Sequence, residues 1–169
     1  MRGRIVHRLL QALPAVAPER RIEAARKPFV RTKDFSAAER DDIIREVLAV
    51  LNDTRFASLF AVGSRAEVPI VGLVSPTQRV SGQVDRLAVT ESEVLIADYK
   101  SDRTVPRELD DIPPGHIEQL ALYRAVLRKL YPNHLVRAAL IWTLGPALIE
   151  VPAATLDAAL SRLSTRKNT

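Results

Sequence analysis

The amino-acid sequence predicts an α/β protein, and three observations carry that prediction. Its middle holds three short segments rich in β-branched residues, "EVPIVGLV" (67–74), "RVSGQVDRLAV" (79–89) and "EVLIADYKS" (93–101), which read as successive strands. A helical stretch, "HIEQLALYRAVLRKLYP" (116–132), separates them from two further strand segments, "LVRAALIWTL" (135–144) and "ALIEVP" (147–152). Helical periodicity flanks the whole block at "SAAERDDIIREVLAVLND" (36–53) and "TLDAALSRL" (155–163).

Taken in order, "GRIVHRLLQALP" (3–14) is a short amphipathic helix with Ile5, Leu9 and Leu10 on one side, stopped by Pro14. Residues 15–35 are basic and punctuated by proline, allowing helical turns but little core. Ser36 is an N-cap with Glu39 three residues on, the spacing of a capping box, and Ile43, Ile44, Val47, Val50 and Leu51 form the buried stripe of the helix that starts there. "TVPRELDDIPPG" (104–115) is a polar, proline-rich loop. The expected organisation is an N-terminal helix and basic arm over 1–35, one core domain over 36–164 and a frayed tail over 165–169.

At 169 residues, 47% hydrophobic and 27% charged, the chain is long and apolar enough to bury a substantial core. It contains no cysteine, which excludes disulfides, thiolate zinc sites and iron–sulfur clusters, so a metal would sit on oxygen or imidazole ligands. A formal charge of +5 and a pI near 10.0 permit nucleic-acid binding without establishing it. No apolar run is long enough to span a bilayer, and the charged opening "MRGRIVHRLLQALP" lacks the apolar centre of a signal peptide. The expectation is a cytoplasmic protein that does not engage membranes.

The second and third strands carry charges where alternation calls for apolar residues. With Glu91 and Ser92 as a two-residue turn, Val89 faces Val94, Leu87 faces Ile96 and Asp85 faces Asp98, with Lys100 on the same face. Val84, Arg86, Ala88, Leu95, Ala97 and Tyr99 then take the opposite face. Two carboxylates directly across a ladder repel at a Cβ separation of about 4.5–5.5 Å. A hard divalent cation such as Mg²⁺ relieves that repulsion. An exposed sheet end in which Lys100 forms an ordinary ion pair reads equally well from spacing alone. Gln119 and Tyr123 share a helix face, with His116 one turn earlier; they reach a site, or Tyr123 is a core aromatic whose hydroxyl Gln119 satisfies. Glu67 reads as a site acid or as the surface partner of Arg65.

The ordered set "GQVDRL", "LIADYKS" with aspartates 13 positions apart, and "HIEQLALYR", preceded by "GRIVH" from Gly3 to His7, resembles the RecB-like branch of the PD-(D/E)xK nucleases. Over nearly the whole chain the resemblance runs to the C-terminal nuclease domain of AddA, the helicase–nuclease subunit of bacterial double-strand-break repair. It implies a restriction-endonuclease-like core, a central mixed sheet flanked by helices, with an N-terminal helical arm. By matching position it makes His7, Asp85 and Asp98 metal ligands and gives Asp85, Asp98, Lys100, Glu67, Gln119 and Tyr123 to the catalytic machinery.

The resemblance further implies Mg²⁺, replaceable by Mn²⁺, and single-stranded DNA as substrate, delivered by a helicase region of the same polypeptide beside an AddB-type subunit. The chain has no "GxxxxGK[ST]" phosphate loop and therefore no ATP site of that kind, so it is expected to correspond to the nuclease domain of a longer protein. A stand-alone RecB-like exonuclease and a catalytically idle DNA-binding or subunit-docking module are the alternative expectations.

Overall fold

A computed structural model describes residues 1–30, 34–102 and 104–166. It has a five-stranded mixed sheet in the order β1-β2-β3-β4-β5, built from β1 (Arg65–Ser75), β2 (Gln78–Val89), β3 (Glu93–Lys100), β4 (Leu135–Trp142) and β5 (Ala147–Glu150). The first three strands form an antiparallel meander, and β3 and β4 run parallel. Parallel neighbours need a long crossover, and helix α4 (Pro114–Leu130) supplies it. Among the described residues no helix is long and apolar enough to cross a membrane.

Two cores lie on the two faces of the sheet. On one, α4 and α5 (Ala153–Arg166) pack Leu120, Val126, Leu127, Leu156 and Ala159 against Ile70, Leu87, Val94, Ile96 and Leu140. Arg124, buried in α4, ties this layer together by donating to the Val136 carbonyl at 3.0 Å and to Asp157 at 2.7 Å. On the other face, α1 (Arg2–Ala12), α2 (Arg21–Arg26) and α3 (Ala37–Asn52) cover Ala88, Ala97, Tyr99 and Ile141. Helix α3 begins as its sequence predicts: the Glu39 amide donates to Ser36 Oγ, and the Ser36 amide donates to Glu39 Oε2 at 2.7 Å.

The arm departs from expectation. Leu13, Ala25 and Phe29 are buried with Val6, Leu9 and Leu10 against α3, so residues 1–30 complete the second core. Its arginines point outward while single apolar side chains at wide spacing do the packing, a pattern that short-range periodicity does not register. Residues 31–33 of the arm lie outside the described residues. At the other end α5 continues to Arg166, past the start of the predicted tail, and 167–169 lie outside the described residues.

Candidate active site

The predicted hairpin register is present: Val89↔Val94, Ala88↔Leu95, Leu87↔Ile96 and Arg86↔Ala97. The Thr90 amide donates to the Glu93 carbonyl at 2.9 Å across Glu91 and Ser92. Pairing stops at Arg86↔Ala97, however, so Asp85 and Asp98 are not the ladder pair that the alternation predicts. Beyond that point Asp85 Oδ2 accepts the Tyr99 amide at 2.6 Å, a side chain taking the place of a backbone partner.

A second departure has its origin at the same level. Val84 belongs to the core that holds Leu87 and Ile96, not to the face of Ala88 and Tyr99. Between Val84 and Leu87 the alternation of β2 reverses. The neighbouring β1 ladder steps from Ala66↔Arg86 to Val68↔Val84, and between them Glu67 has φ of 52°, left-handed backbone that is unusual for any residue with a Cβ. Such strain collects at functional sites, where the surroundings hold it in place.

The reversal brings three donors together. One ligand atom each from His7, Glu67 and Asp85 lies within 4.8 Å of the others, all three side chains half-buried. His7 reaches Asp85 Oδ1 from α1 at 3.1 Å, with its ring edge-on to buried Tyr99 at 5.5 Å between centroids. Octahedral Mg²⁺ with ligands at about 2.1 Å would space its donors about 3–4 Å apart, and the trio, within 4.8 Å, is near that spacing. Hard oxygen and imidazole donors suit it. Of the predicted ligand set His7 and Asp85 meet here, joined by Glu67. Asp98 is not part of the trio and pairs with Lys100, Nζ to Oδ2 at 2.5 Å, with both side chains largely buried.

The remaining predicted residues follow in a chain of hydrogen bonds. Lys100 Nζ donates to Gln119 Oε1 at 3.4 Å, and Gln119 Nε2 donates to the Tyr123 hydroxyl at 3.2 Å. That hydroxyl also accepts the Gln83 amide at 3.3 Å, and Gln83 Nε2 donates to Glu67 Oε2 at 2.7 Å. Gln83, which sequence reasoning missed, thus links the helix pair to the acidic trio. Its position two residues before Asp85 on one strand face was the available signal. Gly82 makes the link possible, since a Cβ there would collide with the Tyr123 hydroxyl. His116 turns away to Asp102, 3.7 Å off.

Electrostatics favour a cation. Burial raises the Asp98 carboxyl above the ordinary range; Lys100 opposes this, and Asp85 adds to it through charge and a hydrogen bond. Burial and then the Asp85 charge raise Glu67 as well. For His7 burial acts downward, but the Asp85 hydrogen bond and the charges of Asp85, Asp98 and Glu67 outweigh it and raise the imidazole. Glu67 and Asp98 are thus both shifted, with Asp85 contributing, in the direction that a nearby positive charge opposes.

The family description "PD-(D/E)XK nuclease superfamily" matches residues 1–166. No curated protein matches the chain. A solved structure described as "Crystal structure of SSO0001" is similar over 97% of this chain and 76% of that one, at 16% identity and a TM-score of 0.37. With the family match spanning all but the last three residues, the chain belongs to the PD-(D/E)XK nuclease superfamily.

Proposed function

We propose that this protein is a divalent-metal-dependent deoxyribonuclease that hydrolyses phosphodiester bonds of single-stranded DNA. The convergence of His7, Glu67 and Asp85 within 4.8 Å, beside the Lys100–Asp98 pair, carries this reading. Mg²⁺ or Mn²⁺ held by the trio would polarise the scissile phosphate and acidify a nearby water. Asp85 is oriented for that task by the Tyr99 amide and His7, and Glu67 by Gln83. Asp98 holds the Lys100 ammonium in place, so that it can orient the attacking water or stabilise charge developing on phosphorus.

The order of sequence motifs supports a finer reading. The chain acts as the nuclease unit of an AddAB-type helicase–nuclease in double-strand-break repair by homologous recombination, as an exonuclease on the 3′-terminated strand. An ATP-driven helicase region and an AddB-type subunit would deliver that strand, in the cytoplasm.

The test is cleavage of labelled single-stranded DNA with Mg²⁺ or Mn²⁺ by the purified chain and by Asp85→Asn, whose amide oxygen can still accept the Tyr99 amide. The variant should lose activity by on the order of a hundredfold or more while keeping its fold by circular dichroism. Equal cleavage by both proteins would assign the activity to a contaminant.

A further inference from the structure

We propose that Arg4 and Arg8 form a phosphate clamp that holds a nucleic-acid strand beside the acidic trio, on backbone phosphates next to the one that is cut. The inference rests on the nuclease reading and adds the path of the strand. A cleft of about 630 Å³ opens between α1 and the sheet, lined by Arg4, His7, Arg8, Gln11, Glu67 and Ser101. Both arginines are exposed, and among the described residues neither has an ion pair or hydrogen bond. Other arginines are engaged: Arg2 with Glu46, Arg55 with Asp53, Arg124 with Asp157, and Arg137 with Glu93 and Glu150.

Position makes the two guanidiniums suitable. Four residues apart, they share one side of α1 and are separated by about 6 Å along its axis. Helix α1 itself is fixed against the catalytic strand: His7 is bonded to Asp85, and a Cβ on Gly3 would lie 2.6 Å from Ser101 Oγ. An ion held by the trio would serve the phosphate that is cut, so attraction for the neighbouring phosphates has to come from the wall of the cleft. Arg4 and Arg8 provide it there. A second hollow, of about 370 Å³ between β2 and α4, is lined by both Arg79 and Glu118 and offers no comparable excess of positive charge.

The experiment compares the full chain with Arg4→Gln/Arg8→Gln and Arg4→Lys/Arg8→Lys. Binding of fluorescein-labelled single-stranded DNA is followed by anisotropy across a salt series in Ca²⁺, and hydrolysis of the same DNA and of bis(p-nitrophenyl) phosphate in Mn²⁺. The glutamine variant should bind at least about tenfold more weakly, and its log–log salt slope should fall by about 1.4, the loss of two single-strand phosphate contacts. The lysine variant should recover the slope. Hydrolysis of the small diester, which has no neighbouring phosphate, should stay within about twofold.

DNA binding and salt slope unchanged in the glutamine variant would overturn the clamp while leaving the nuclease reading intact. Equal loss on the small diester would also overturn it, by placing the arginines in the support of the metal site. Salt-dependent binding that needs Arg4 and Arg8, in a protein that cleaves neither substrate, would sustain the clamp and sink the nuclease reading. A wild-type chain that binds no DNA overturns the clamp.

Discussion

At its turn the β2–β3 hairpin pairs residue for residue, Val89 with Val94 and Leu87 with Ile96, whereas at its other end the same strands part and leave Asp85 and Asp98 outside the ladder. Toward the turn Leu87, Val94 and Ile96 are buried in the core that α4 completes, with Val89 exposed at the edge. The open end spends its backbone partner on a carboxylate, Asp85 on the Tyr99 amide, and gathers Glu67, His7 and Lys100 around it. Stability and chemistry are thus segregated along one pair of strands. Ile96 and Asp98 sit two residues apart on one strand face with opposite duties, which allows the division to be tested by substitution.

The largest expected effect is at the closed end. Ile96 is fully buried, so Ile96→Ala should cost about 2–5 kcal/mol through lost transfer energy and the cavity left behind. Denaturant unfolding would measure it, and Mn²⁺ affinity of the folded fraction, by calorimetry, should be unchanged. A matching loss of metal affinity would show that the two ends are mechanically coupled and would break the comparison.

The open end should respond in the opposite sense. Glu67→Gly removes both a left-handed backbone conformation that carries a Cβ and one of the crowded carboxylates. The metal-free protein should gain about 1 kcal/mol, since Gly adopts that φ freely while losing some entropy on folding. Mn²⁺ affinity should fall in the same variant. Destabilisation instead would mean that the Gln83–Glu67 hydrogen bond outweighs the strain.

These regions also differ in how far the sequence discloses them. Alternation of Leu87, Val89, Val94 and Ile96 is a period that any half-buried strand obeys, and it returned the correct register. The same rule failed at Val84, because Glu67 adopts a positive φ that no residue type announces. It failed at Asp85 and Asp98 because a side chain replaced a backbone acceptor, an exchange settled only in three dimensions. Charges in apolar positions marked the site's place in the chain, and the order of motifs marked its family. Glu67 joining His7 and Asp85, Asp98 joining Lys100, and Gln83 closing the hydrogen-bond chain all depend on where the strands separate. The buried Ala25 and Phe29 were hidden for another reason: their burial is created by α3, far along the chain.

The smallest expected effect is on pH dependence, and its sign distinguishes the open end from the rest of the molecule. A raised imidazole pKa means that the folded state binds the proton more tightly, so His7 contributes stability that is fully present below about 6.5 and lost as pH rises through its higher folded value. Glu67 and Asp98, also raised, act in the same direction from a lower starting pH. Glu39, Asp53 and Glu150 have lowered pKa values, contribute above the ordinary carboxylate range, and are already ionised by pH 6. His116, lowered by burial and then by the Lys100 charge, acts in the opposite direction over the same interval. In a His116→Gln background the metal-free Tm should therefore fall between pH 6 and pH 8, and adding His7→Gln should flatten the fall. Mn²⁺ should reverse the slope, because its ligands must shed their protons and its affinity rises with pH. With His116 replaced, a metal-free Tm that climbs over this interval would mean that the charges of Asp85, Asp98 and Glu67 do not act on His7, and the open end would lose the electrostatic character that sets it apart from the closed one.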